Sequence, residues 1–131
     1  TEGGIVPSLS QKTKVHYYKK INDDDNVLEI DPITDLDINQ KLRAVQIPES
    51  ITKTKKSDKI ETEVNPLDIA KESLKLGFEA LSGKDGIMKD CILYSTSLIM
   101  NHVTGESLTK CKNEIEKTMK SGSALKRFKI I

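Results

Sequence analysis

The chain has 131 residues, with Lys+Arg 21 against Asp+Glu 20, a net charge of +1, 4% aromatics and no Trp. One domain fits this length. The balance of charge excludes a general pull toward nucleic acid or anionic membrane, and the scarcity of aromatics leaves any core to Ile, Leu, Val and a few Met.

Residues 1–11 carry Gly3-Gly4, Pro7 and two serines, which is loop chemistry. Residues 12–21 alternate in part and hold Val15, Tyr17, Tyr18 and Ile21, the pattern of a strand. An acidic five-residue turn, residues 22–26, connects it to a second short strand over 27–30, so a β-hairpin is expected. Asp31-Pro32 ends that strand, since proline cannot donate to a ladder. Residues 33–40 read as a polar connection anchored by Ile33, Leu36 and Ile38, and 42–47 as a short third strand closed by Pro48. Residues 49–64 intersperse Lys53, Lys55, Lys56 and Lys59 with Thr, Ser, Asp and Glu and read as an exposed linker.

The helical half begins at Asn65-Pro66, a favoured N-cap followed by a favoured first residue, with Asp68 complementing the dipole. Leu67, Ala70, Leu74, Phe78 and Leu81 predict an amphipathic helix that stops at Ser82-Gly83. A central helix starts after Gly86 and ends at Thr104-Gly105 in the manner of a glycine C-cap. It is apolar on most of its circumference, so it calls for more cover than the chain obviously supplies. Lys89, Asp90, Asn101 and His102 interrupt it, and no apolar run reaches the roughly 20 residues that span a bilayer. Ser107 caps a third helix with the stripe Leu108, Cys111, Ile115 and Met119; after Ser121-Gly122-Ser123 a short last helix turns Leu125 and Phe128 inward. The organisation is a strand-rich segment (1–48), a linker (49–64) and a helical segment (65–131). Thr1 opens the sequence inside loop chemistry with no signal-peptide pattern; a removed leader, a trimmed chain or a domain excised from a longer protein would each account for that start.

Reactive groups are sparse. Glu2 beside Gly3-Gly4 is a carboxylate on a pliant loop, the kind of group that places an acid on a phosphate-bound metal. Asp23-Asp24-Asp25 lacks the spaced ligands and closing Glu of a calcium loop and reads as a solvated turn. His16 and His102 stand in no metal spacing. Ser95 and Ser97 lie inside the central helix without a nucleophile elbow. Cys91 and Cys111 sit on apolar helix faces and read as packed, reduced thiols, which favours a reducing, cytoplasmic setting. The linker lysines are diluted by acids and have no interleaved aromatic for base stacking. These residues alone make no complete active site.

The order of features resembles the C-terminal end of anthranilate phosphoribosyltransferase and its relatives in the glycosyltransferase family 3 group. Over residues 65–128 the shared points are Asn65 opening a helix, Ala80-Leu81-Ser82-Gly83 before a helix containing Lys89-Asp90, and the close Ser121-Gly122-Ser123-Ala124-Leu125. The family's Asn- and Ala-rich middle helix is here Leu93-Tyr94-Ser95-Thr96-Ser97-Leu98. Upstream, Glu2-Gly3-Gly4, the strand Val27-Leu28-Glu29-Ile30 and Asp35-Leu36-Asp37-Ile38 resemble the family's late hairpin and its leucine-glycine-leucine turn, with Asp37 in place of Gly.

The resemblance implies an α/β fold, the C-terminal portion of a phosphoribosyltransferase-type domain. The parent reaction it implies is phosphoribosyl transfer from phosphoribosyl pyrophosphate to anthranilate, a step of tryptophan biosynthesis. That family binds its substrate with a glycine-rich loop and Mg²⁺, both upstream of the residues present here, so the chain by itself is expected to be catalytically incomplete. Of the family's acidic magnesium pair only Glu2 has a counterpart, followed by Gly3-Gly4 instead of the usual residues. Expected partners are the remainder of the parent protein and a second copy in a homodimer, with no membrane. Relatives that have lost transferase activity bind nucleic acid, so a non-catalytic nucleic-acid or protein-interaction module is the alternative.

Overall fold

The computed structural model describes residues 7–18, 26–46, 52–54 and 62–128. The chain mixes a β-hairpin with helices. Strands β1 (Thr13–Tyr17) and β2 (Asn26–Ile30) pair antiparallel, with Val15 opposite Leu28 and Tyr17 opposite Asn26. Alternation puts Thr13, Val15 and Tyr17 on the covered face and Lys14 and His16 on the exposed one.

Helix α1 (Pro32–Leu36) follows at once, where the sequence predicts a polar connection. Asp31 caps it, accepting from the Ile33 amide at 2.9 Å, while Asp35 Oδ2 accepts from the Asp31 amide at 2.8 Å. Those reciprocal bonds satisfy two backbone donors of the first turn. Asp37 ends the helix in the left-handed region, φ 52° and ψ 39°, and its amide donates to the Ile33 carbonyl. This turn aims Leu36 and Ile38 into the core, whereas Ile33 stays exposed. No strand forms over 42–46; there Arg43 accepts from the Leu9 amide at 2.9 Å, and Gln40 Nε2 donates to Asp90 Oδ2 at 2.6 Å, tying the segment to the helices. Two short strands, β3 (Thr52–Thr54) and β4 (Thr62–Val64), pair antiparallel within the stretch that reads as a linker.

Four helices complete the fold: α2 (Pro66–Leu81), α3 (Ile87–Thr104), α4 (Leu108–Lys120) and α5 (Ser123–Phe128). Asn65 caps α2 through the Leu67 amide at 3.0 Å, and Ser107 caps α4 through the Lys110 amide at 3.3 Å. Gly105 closes α3 at φ 73°, donating to Asn101 O. Helix α3 is central. Its Cys91 and Tyr94 meet Leu9, Ile30, Leu36 and Ile38 to form the core, flanked by Val15, Val45, Leu98 and Leu108. Most of its circumference is therefore covered from within the chain; its exposed positions are Thr96, Ile99 (64% exposed) and the last turn with Val103 (75%).

Helix α2 is covered along only part of its predicted stripe. Leu67 and Leu74 are 68% and 53% exposed and Ala70 is exposed too, whereas Phe78 and Leu81 are partly covered, as are Ile69 and Leu76, and Ala80 is buried. The N-terminal part of the stripe is thus open and its C-terminal part covered. Phe78 meets Phe128 of α5 edge to face at 5.8 Å, although Phe128 remains half exposed.

Asp37 offers a local test. A left-handed backbone is strained for residues with a Cβ, most of all β-branched ones. Replacing Asp37 by Gly should leave stability within about 0.5 kcal/mol, the strain relief offsetting glycine's greater freedom in the unfolded chain. Replacing it by Val should cost about 1–2 kcal/mol. Urea denaturation of the two variants measures the difference.

Candidate functional site

Among the described residues, the best-formed cleft lies between the hairpin and the C-terminal end of α3. Its volume is about 380 Å³, and it opens to solvent. Val15, Leu28 and Leu98 supply apolar walls, and Tyr17, Asn101, His102 and Gly105 the remainder. Strand alternation selects Val15 and Tyr17, their partner register brings Leu28 alongside, and helical spacing places Leu98, Asn101 and His102 on adjoining turns. The Tyr17 and His102 rings meet edge to face, with centroids 6.0 Å apart and planes at 72°. Asn101 Nδ2 donates to the Glu106 carbonyl at 2.6 Å. That bond fixes the amide's orientation, and Asn101 Oδ1 has no partner among the described residues.

A second polar cluster joins α3 to α4. Lys89, nearly buried, reaches Asp85 at 2.7 Å and Glu116 at 3.1 Å, and Lys120 adds a contact to Glu116 at 3.0 Å. Burial pulls the Lys89 pKa down, but bonds to Asp85 and Glu116 outweigh it and leave the ammonium above its ordinary value. Hydrogen bonds from Lys120 and Lys89 hold Glu116 below the ordinary carboxylate value, and the bond from Lys89 does the same for Asp85. Every charge here is matched, so the cluster is a clamp between helices and not a reactive centre. A lowered carboxylate pKa stabilises the fold above the unfolded-state value and loses that contribution as pH falls through the folded value. Stability should therefore drop as pH falls below about 4.5, and Glu116→Gln should flatten that acid limb in melts recorded at a series of pH values.

The reactive groups picked out in the sequence are not brought together. Glu2 and Asp23-Asp24-Asp25 lie outside the described residues, as do Lys55, Lys56 and Lys59. His16 sits on the exposed face of β1, opposite Val27, away from the cleft lined by His102. Ser97 is buried and donates to the Leu93 carbonyl at 2.6 Å, occupied as a packing residue. Cys91 and Cys111 are free and buried, and burial pushes the Cys91 thiol up, away from a reactive thiolate. Among the described residues no three His, Cys, Asp or Glu side chains come together to hold a metal ion.

Sequence reasoning missed three features: the Tyr17–His102 corner, the Lys89 clamp and the buried hydroxyl of Tyr94, which has no hydrogen-bond partner among the described residues. Only the clamp left a signal, the Asp85–Lys89 spacing of four within one helix end.

The chain matches no protein-family profile, no curated protein and no solved structure. Among the described residues no helix is long and apolar enough to cross a membrane.

Proposed function

We propose that this chain is the C-terminal portion of a phosphoribosyltransferase-like protein of the anthranilate type, working in the cytoplasm with its two thiols reduced. The observation that carries the reading is Asp37. The resembling turn has glycine at this position, and Asp37 adopts φ 52°, the left-handed conformation that glycine takes most easily. Further support comes from the elements on either side, a hairpin before the turn and an Asn-capped helix later in the chain. The open apolar positions Leu67, Leu74, Ile99 and Val103 accord with burial against the rest of such a domain.

In the parent reaction an aromatic amine displaces pyrophosphate from phosphoribosyl pyrophosphate. Mg²⁺, when bound, neutralises charge on the leaving pyrophosphate. In this reading Glu2, outside the described residues, is the chain's one candidate ligand for it, this portion supplies packing around the reaction centre, and the phosphate-binding loop belongs to upstream residues. The test is to express the chain with and without the residues encoded upstream of Thr1 and to measure pyrophosphate release with phosphoribosyl pyrophosphate, anthranilate and Mg²⁺. Magnesium-dependent turnover by the longer protein alone is the expected result. Turnover by the 131-residue chain itself, or an inactive longer protein without a Gly-Thr-Gly-Gly-Asp type phosphate loop, overturns the reading.

A further inference from the structure

The cleft between hairpin and α3 plays no part in that reading, yet its chemistry is selective. We propose that it binds a small, uncharged aromatic molecule bearing an O–H donor, of the phenol class. Three observations converge on this class. The first is size: about 380 Å³ falls in the range of roughly 300–1,000 Å³ usual for small-ligand pockets. The second is shape. Tyr17 and His102, with planes at 72°, form a corner of the cleft that Val15, Leu28 and Leu98 also line. A flat ring entering it can lie along one ring and present its edge to the other, the two arrangements that the aromatic quadrupole favours.

The third is polarity. Asn101 Oδ1 and the ring nitrogens of His102 have no hydrogen-bond partners among the described residues. An incoming hydroxyl can therefore donate to an acceptor that otherwise has only water. A ligand carboxylate is disfavoured because the cleft adjoins the C-terminal end of α3, the negative end of the helix dipole. A ligand ammonium would find no carboxylate among the lining residues.

The probes are phenol, cyclohexanol, benzoate and benzylammonium, titrated into the isotope-labelled full chain and followed by NMR. Phenol should give saturable shifts centred on Val15, Leu28, Leu98, Asn101 and His102. Cyclohexanol and the two charged probes should bind at least tenfold more weakly. His102→Ala and Tyr17→Leu should each weaken phenol binding at least fivefold. His102 is exposed, so its variant retains the fold, verified by an otherwise unchanged spectrum. Unsaturable or scattered phenol shifts, wild-type affinity in His102→Ala, or charged probes or cyclohexanol binding as tightly as phenol would each overturn the proposal.

Discussion

Replacing Gly83 by Ala should cost about 3 kcal/mol, one of the largest losses expected from a single added methyl in this chain. Gly83 stands between α2 and α3 at φ 84°, a conformation that costs residues with a Cβ about 1–2 kcal/mol. Space is the second cost. A Cβ at this position would lie 2.9 Å from Lys120 Cα and 3.1 Å from Lys120 N. Those atoms are the backbone of the last turn of α4, so no side chain can swing aside; the helix end itself must move. Gly105→Ala is the control. It has φ 73°, but nothing lies within 4 Å of the added carbon, so it should cost only about 1 kcal/mol. Thermal melts should place Gly83→Ala about 10 °C below the wild type and Gly105→Ala about 3–5 °C below. Equal losses in the two variants would show that the α4 contact contributes nothing.

Local chemistry made the helical half readable. Asn65-Pro66, Ser107 and Gly105 act as the caps that their residue types predict, because capping depends on a few adjacent residues. At Asp31-Pro32 the sequence marks the end of a strand, and β2 does end at Ile30; the same pair also caps α1, with Pro32 at its first position, just as Asn65 and Pro66 begin α2. The stripe of α2 is legible at its C-terminal end, where Phe78 and Leu81 are covered; toward its N-terminus Leu67/Leu74 and Ile69/Leu76 are both apolar pairs at helical spacing, and only tertiary packing selects between them. Strands β3 and β4 escaped because Thr52-Lys53-Thr54 has no alternating apolar face and pairs through its backbone. The cleft was out of reach for another reason. Tyr17 and His102 are distant in sequence, and nothing local links a strand residue to the last turn of a helix.

Tyr94→Phe should leave the protein as stable as the wild type or raise its melting temperature by about 3–5 °C, whereas Tyr94→Ala should cost about 3–5 kcal/mol. The ring is the centre of the core, fully buried among Leu9, Ile30, Leu36, Ile38 and Cys91, so truncation opens a large cavity. The hydroxyl is different. Among the described residues it is buried with no partner in hydrogen-bonding geometry, although the Thr13 side chain lies close, and removing an unsatisfied buried group removes its desolvation penalty. Burial pushes the phenol's pKa above its ordinary value; the Thr13 side chain offsets part of the rise, and Asp35 and Asp31 add to it. A folded-state pKa raised in this way gives a contribution that is intact below the unfolded-state value, about 10, and is lost as pH rises through the folded value. Wild-type stability should therefore fall more steeply than that of Tyr94→Phe above about pH 10. Lys89 and Cys91 bend the curve in the same direction, but both remain in the variant, so the difference between the two proteins isolates Tyr94. Urea midpoints at pH 8 and above pH 10 measure it. A large loss in Tyr94→Phe at pH 8 would mean that the hydroxyl has a partner after all.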